Sequence, residues 1–351
     1  MKAARWHARR DVRIEEVAEP SPKPGQVKIK VHYCGICGTD LHEYTEGPMF
    51  TAATSHPLTG YGAPVIIGHE YSGEIVELGE GVTGWSVGDR VALEGYWVCF
   101  DCYYCERHEY NRCINLAFHG FSAPGGLAEY VCAPTYQLYA VDPRVSQQAA
   151  ALVEPIAVCV RAVNRTAPKL GETALIVGAG PIGLATLQVL RAAGIERIAV
   201  LEPAQKRREM AAEFGATVAI DPRTEEMAAV VHDVTGGIGF DMAFECAATD
   251  TAFQMAMHGT RKGARICILS QTNTPFNLYV NDLGFFEREL IGTVAYCGDF
   301  STAIDLIATG KVRADDMITA TIPLDDLVSV GYRELTENNA NQVKIIVNPH
   351  A

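Results

Sequence analysis

The run Thr173-Ala-Leu-Ile-Val-Gly-Ala-Gly-Pro-Ile-Gly183 constrains the fold of this chain more than any other stretch. A solid apolar segment of strand length turns through G-x-G-x-x-G into Ile182, Leu184, Ala185, Leu187, Val189 and Leu190, a helix-like pattern that ends at Gly194. A strand without polar alternation is buried on both faces, so helices must cover both sides of a parallel sheet. The pattern repeats downstream. Residues 198–201 read as the next strand, 203–214 as a helix opened by Pro203 and closed by Gly215, and 241–246 and 264–269 as further strands.

In that context the glycines form a Rossmann fingerprint. Gly178, Gly180 and Gly183, with Pro181 and Ile182 between them, permit a tight turn and bring the backbone to a pyrophosphate at a helix N-terminus. Glu202 ends the second strand, nineteen residues after Gly183. Its carboxylate suits the adenosine ribose hydroxyls and repels a 2′-phosphate, which favours NAD over NADP. Lys206, Arg207 and Arg208 follow closely and keep NADP open, although a solvated basic turn is the simpler reading of Lys206 and Arg208.

Roughly the first 150 residues follow a different grammar. Val27-Lys-Ile-Lys-Val31 alternates apolar and charged, and glycine turns such as Leu78-Gly-Glu-Gly81 and Ser86-Val-Gly-Asp89 separate short strands. That is the pattern of a small barrel or twisted sheet with long loops. The tail after about residue 291 is mixed again and ends in a strand-like 343–347.

The formal charge of −13, from 42 acidic and 29 basic side chains, makes a poor surface for nucleic acid or anionic lipid. No apolar run approaches the ~20 residues of a membrane span, and the N-terminus lacks a secretory signal pattern. A cytoplasmic location is expected, where thiols stay reduced. Eleven cysteines, an odd number, do not read as a disulfide framework.

Four of those cysteines, Cys99, Cys102, Cys105 and Cys113, are spaced C-x2-C-x2-C-x7-C. Such spacing wraps one ion tetrahedrally, as structural zinc requires, and leaves no vertex for a reactant. A second, open set is offered by Cys34-Gly-Ile-Cys-Gly-Thr-Asp-Leu-His42, Gly68-His-Glu70 and Glu154. One thiolate, one imidazole and one or two carboxylates suit catalytic zinc, with one position left exchangeable. Thr39 and His42, near Cys37, could carry a proton out of a buried site.

Together these residues resemble the zinc-dependent medium-chain alcohol dehydrogenase family over essentially the whole chain. The matches are Gly35-Ile-Cys-Gly-Thr-Asp40, Gly68-His-Glu70, the four-cysteine cluster, Glu154-Pro155 and Gly178-Ala-Gly-Pro-Ile-Gly183. The resemblance implies an α/β chain: a GroES-like β-barrel catalytic domain formed by both chain ends, with a doubly wound, parallel-sheet Rossmann domain inserted. The expected parts are residues 1–154 with a structural zinc lobe at about 95–115, 155–291, and the return 292–351. It further implies two zinc ions per chain. The catalytic one falls to Cys37, His69 and a carboxylate, Glu70 or Glu154, and the structural one to Cys99, Cys102, Cys105 and Cys113. The implied proton relay runs through Thr39 and the cofactor ribose to His42, and Arg207 lies against the adenosine. A homodimer or homotetramer is the implied assembly. Glu202 stands where the commoner residue is Asp, with the charge kept.

Two segments narrow the branch within the sorbitol-dehydrogenase-like group. The loop from Glu46-Gly-Pro-Met-Phe50 through His56-Pro-Leu-Thr-Gly60 to Ala63-Pro64, and Gly292-Thr-Val-Ala-Tyr-Cys297, resemble the butanediol dehydrogenases. Ala295 replaces the arginine with which sorbitol dehydrogenases hold a polyol hydroxyl. The expectation is interconversion of a short vicinal diol and an α-hydroxyketone, 2,3-butanediol and acetoin, with diacetyl reduction beside it. Sorbitol, L-threonine or another secondary alcohol is the rival substrate. An NAD-binding scaffold or redox sensor with structural zinc alone is the rival of another class.

Overall fold

The computed structural model describes residues 1–51 and 54–351. It divides into two compact units: 1–154 with 300–308 and 314–351, and 155–299 with 309–313. The sequence reading placed the return at 292. Residues up to Asp299 stay with the second unit, where Arg165 Nε donates to the Gly292 carbonyl (2.8 Å) and Asn164 Nδ2 to Asp299 (3.2 Å).

The first unit is built on a seven-stranded sheet. Its path runs Leu138–Ala140, Arg90–Leu93, Glu70–Leu78, Gln26–Gly35, Lys344–Asn348, Ile318–Pro323, and Tyr130–Pro134 pairs with Gln26–Gly35 off that path. The alternation in Gln26–Gly35 does what period two requires: Val27, Ile29 and Val31 are buried and Lys28 and Lys30 are not. The last strand, Lys344–Asn348, joins antiparallel to it, with Ile346 opposite Gly35 and Val347 opposite Cys34. Trp6, Ile67, Tyr71, Ile75 and Leu93 fill the core between this sheet and the three-stranded sheet of Lys2–Ala8, Asp11–Glu16 and Val65–Ile66.

The second unit carries six parallel strands in the order Val218–Ile220, Arg197–Leu201, Thr173–Val177, Phe240–Glu245, Thr260–Ile268, Glu289–Gly292. All five residues of Thr173–Val177 are buried, as a central strand covered on both faces must be. The order reverses beside it, and that crevice is where α/β sheets bind ligands. One helix is shorter than expected: Gln205–Glu213 instead of 203–214. Ala204 is extended (ψ 121°) because its N–H is held by the Glu202 carboxylate at 2.9 Å.

Candidate metal and dinucleotide sites

Cys37 caps the helix Gly38–Glu46, and the Asp40 carboxylate accepts its N–H at 3.0 Å, which fixes the first turn. His69 enters from the other side, just before the strand Glu70–Leu78. Gly68 makes that entry possible. Its φ of +92° is left-handed, and a Cβ there would lie 2.7 Å from Leu127 Cγ and 2.8 Å from Cys34 Sγ. Donor atoms of Cys37, His69 and Glu70 all come within 4.8 Å of one another. Cys34 is fully buried, as packing.

The set fits a cation. His69 Nδ1 and Asp40 Oδ1 face each other at 3.4 Å, both buried and neither in a good hydrogen bond. Histidine ligands commonly turn one ring nitrogen to a carboxylate and the other to the metal. Burial works against a charged His69, but Asp40 and Cys37 outweigh it and hold its pKa well above the usual value. A pocket that pulls so hard on a proton is suited to a divalent ion.

The sequence reading missed one residue here. Lys344, 2 % exposed, donates to both oxygens of Glu70 (2.9 and 2.7 Å) and to the Ile36 carbonyl (3.0 Å). Gly35 leaves the room: a Cβ on it would collide with the Glu70 carboxylate. The available signal was a lone lysine inside the apolar run Val343-Lys-Ile-Ile-Val347, since a buried cation needs an anion. Desolvation lowers the Lys344 pKa, yet Glu70 and Cys37, with Glu154 further down, raise it overall. Glu154 itself is buried in the first turn of Val153–Thr166 and is not one of the three converging donors.

Thr39 and His42 share a face of the Gly38–Glu46 helix at i, i+3. Thr39 Oγ1 lies 3.5 Å from Cys37 Sγ. His42 is half-exposed, 3.9 Å from Glu46.

The four cysteines of the lobe also gather their sulfurs within 4.8 Å, and all are free thiols. Phe100 and His108 take left-handed φ (63° and 58°), letting the loop curl around that point. Backbone N–H groups of Cys105 and Ile114 hold the Cys102 thiol down at about 6.

In the second unit the glycines divide their duties. Gly178 has φ +99° and sits against Ala247 Cβ, 3.0 Å from where its own Cβ would be. A Cβ on Gly183 would strike the Gly178 carbonyl, whereas one on Gly180 would meet nothing, so the space before the helix Pro181–Ala192 is open. Glu202 is 4 % exposed and accepts from Ala179 N (2.7 Å) and Ala204 N (2.9 Å), one on each oxygen. Each oxygen keeps a second lone pair for a ribose hydroxyl. Arg207 is half-buried, and burial lowers its pKa against the pull of Glu202. Arg208 is bound to the carbonyls of Glu202 (2.8 Å) and Pro203 (2.7 Å), and Lys206 is exposed.

These two units and two donor groups define the class: the chain belongs to the zinc-dependent medium-chain alcohol dehydrogenases. Residues 23–143 match the alcohol dehydrogenase GroES-like domain and residues 181–309 the zinc-binding dehydrogenase domain. Within that class it is 39 % identical to the (R,R)-butanediol dehydrogenase of Bacillus subtilis (strain 168), over 100 % of both chains. It is 33 % identical to a probable diacetyl reductase [(R)-acetoin forming] 2 of Saccharomyces cerevisiae, covering 100 % of this chain and 90 % of the other. The crystal structure of 2R,3R-butanediol dehydrogenase from Bacillus subtilis superposes with a TM-score of 0.92 at 39 % identity, covering 99 % of each chain.

Proposed function

We propose that the chain oxidises 2,3-butanediol to acetoin with NAD, runs the reverse reduction, and reduces diacetyl. The convergence of Cys37, His69 and Glu70 beside Thr39 and His42 carries the reading. The full-length similarity to butanediol dehydrogenases supports the substrate, as does an alanine at 295 in place of a cation for a polyol hydroxyl.

Cys37, His69 and a carboxylate from Glu70 or Glu154 would hold a zinc ion whose chemistry there would be Lewis acidity toward the reacting oxygen, and bound NAD would supply the hydride acceptor. Thr39 receives the hydroxyl proton, and His42, one helical turn on and open to solvent, releases it. Lys344 offsets the Glu70 charge inside the buried site. Gly178, Gly180, Pro181, Ile182 and Gly183 shape the amides for the pyrophosphate, Glu202 reads the adenosine ribose, and Arg207 flanks it. Cys99, Cys102, Cys105 and Cys113 hold a second, structural zinc. A cytoplasmic location goes with this reading, since both donor groups need reduced cysteines to hold metal; among the described residues no helix is long and apolar enough to cross a membrane.

The test is metal analysis with a substrate panel. The wild type should hold two zinc ions, one per donor group. Cys37→Ser should keep one, bind NADH normally and lose turnover. A scaffold or redox sensor would hold one zinc from the start. Side-by-side kcat/KM on butanediol stereoisomers, sorbitol and L-threonine fixes the substrate, and butanediol trailing the others would sink the assignment.

A further inference from the structure

The loop that follows the helix Gly38–Glu46 has no part in the chemistry above, yet a buried acid pins it beside the site. Residues 52 and 53 of that loop lie outside the described residues; the pinned part precedes them. Glu43 is 1 % exposed, and its carboxylate accepts the backbone N–H of Met49 (3.0 Å), Phe50 (2.9 Å) and Thr51 (3.3 Å). Its own carbonyl takes the Trp6 indole N–H and the Gly47 N–H, each at 3.1 Å. Charge-assisted bonds to three consecutive amides fix the backbone path, and with it the origin of the Phe50 side chain. The Phe50 ring lies 5.6 Å from that of Phe121, and the Phe121 ring lies 5.2 Å from the His69 imidazole. The clamp therefore connects, through two rings, to a residue of the candidate metal site.

We propose that Glu43 is a positioning residue for substrate selection: through Phe50 it sets an apolar wall, continuous with Phe121, against the His69 side of the site. This rests on the diol reading. Such a wall accepts the methyl flank of a carbinol carbon and leaves the extra hydroxyls of a polyol without partners. Glu43 touches no reacting atom. Its effect belongs in KM and in discrimination, with the chemical step spared.

The test uses the zinc-loaded full chain with NAD. Phe50→Ala, which leaves the clamp intact, should raise KM for butanediol about tenfold with kcat within about twofold, and lower the butanediol-to-sorbitol ratio of kcat/KM. Phe50→Leu should restore most of both. Glu43→Gln should reproduce the Phe50→Ala pattern, yet add less than about twofold on top of it, because both act through one ring. Independent of turnover, amide hydrogen exchange at residues 49–51 should speed up in Glu43→Gln and stay unchanged in Phe50→Ala. An unchanged selectivity ratio in Phe50→Ala, effects that multiply in the double variant, or unchanged exchange in Glu43→Gln would each overturn the proposal. A wild type that prefers sorbitol overturns the diol reading instead, and the exchange measurement still decides whether Glu43 positions the loop.

Discussion

Lys344 and Glu70 form a charge pair with side chains 2 % and 1 % exposed, 2.7 Å apart. Removing one partner of such a pair leaves an unpaired charge in a dry interior, which costs about 3–5 kcal/mol. Lys344→Met should therefore lower unfolding free energy by roughly that amount, and Glu70→Gln added to it should recover most of the loss. Denaturant titration of the three proteins checks this. The pair also marks where reading the sequence stopped. Cys37, His69 and Glu70 were legible because each sits in a short run with its neighbours and offers a metal-ligand atom. Lys344 offers none, and its partner lies 274 residues away. Glu43 was illegible for a related reason. A carboxylate that binds only main-chain amides follows from the path of the loop, and no side-chain pattern announces it.

At the level of elements, the strands of the parallel sheet were legible because burial on both faces writes itself as an unbroken apolar run. Helix ends were less so: Pro203 signalled a start that the Glu202 carboxylate delays to Gln205. The start of Thr173–Val177 is held by another acid. Asp241 accepts from Thr173 N (2.7 Å) and Oγ1 (2.9 Å) and from Arg261 Nε (2.7 Å). Burial alone would raise its pKa, but Arg261 and the Thr173 donors outweigh it, and the folded value lies below the usual one. A depressed carboxyl stabilises the fold fully above its unfolded pKa of about 3.9 and stops doing so as pH falls through the lower folded value. Asp241→Asn should thus reduce stability at neutral pH and flatten the acid limb below about pH 4. Thermal unfolding of both proteins across pH 2–7 reads this out, and parallel curves would contradict it.

For the whole molecule, the six-stranded sheet ends at Glu289–Gly292, which pairs only with Thr260–Ile268 among the described residues. Around that edge Tyr279, Val280 and Phe285 are 67 %, 69 % and 79 % exposed. An open edge flanked by apolar side chains is a template for pairing with another chain. Leu290→Asp with Phe285→Ser should remove that template, lowering the mass read by sedimentation relative to the wild type with NADH binding retained; an unchanged mass would show that this edge carries no association. The two-part architecture was legible from the change of period near residue 155. The point of return was not, because 293–299 carries no period, and its place in the second unit follows from contacts such as that of Asn164 with Asp299 and not from any pattern in the segment.

The strand Lys344–Asn348 lies against Gln26–Gly35 and brings the ammonium that Glu70 needs. During synthesis the ribosome delivers every residue from 155 to 299 before that strand exists. The nucleotide-binding half can thus mature on the nascent chain, while the half bearing Cys37 waits with Glu70 uncompensated. Closing the pocket around Glu70 accordingly waits for a strand made after residues 155–299.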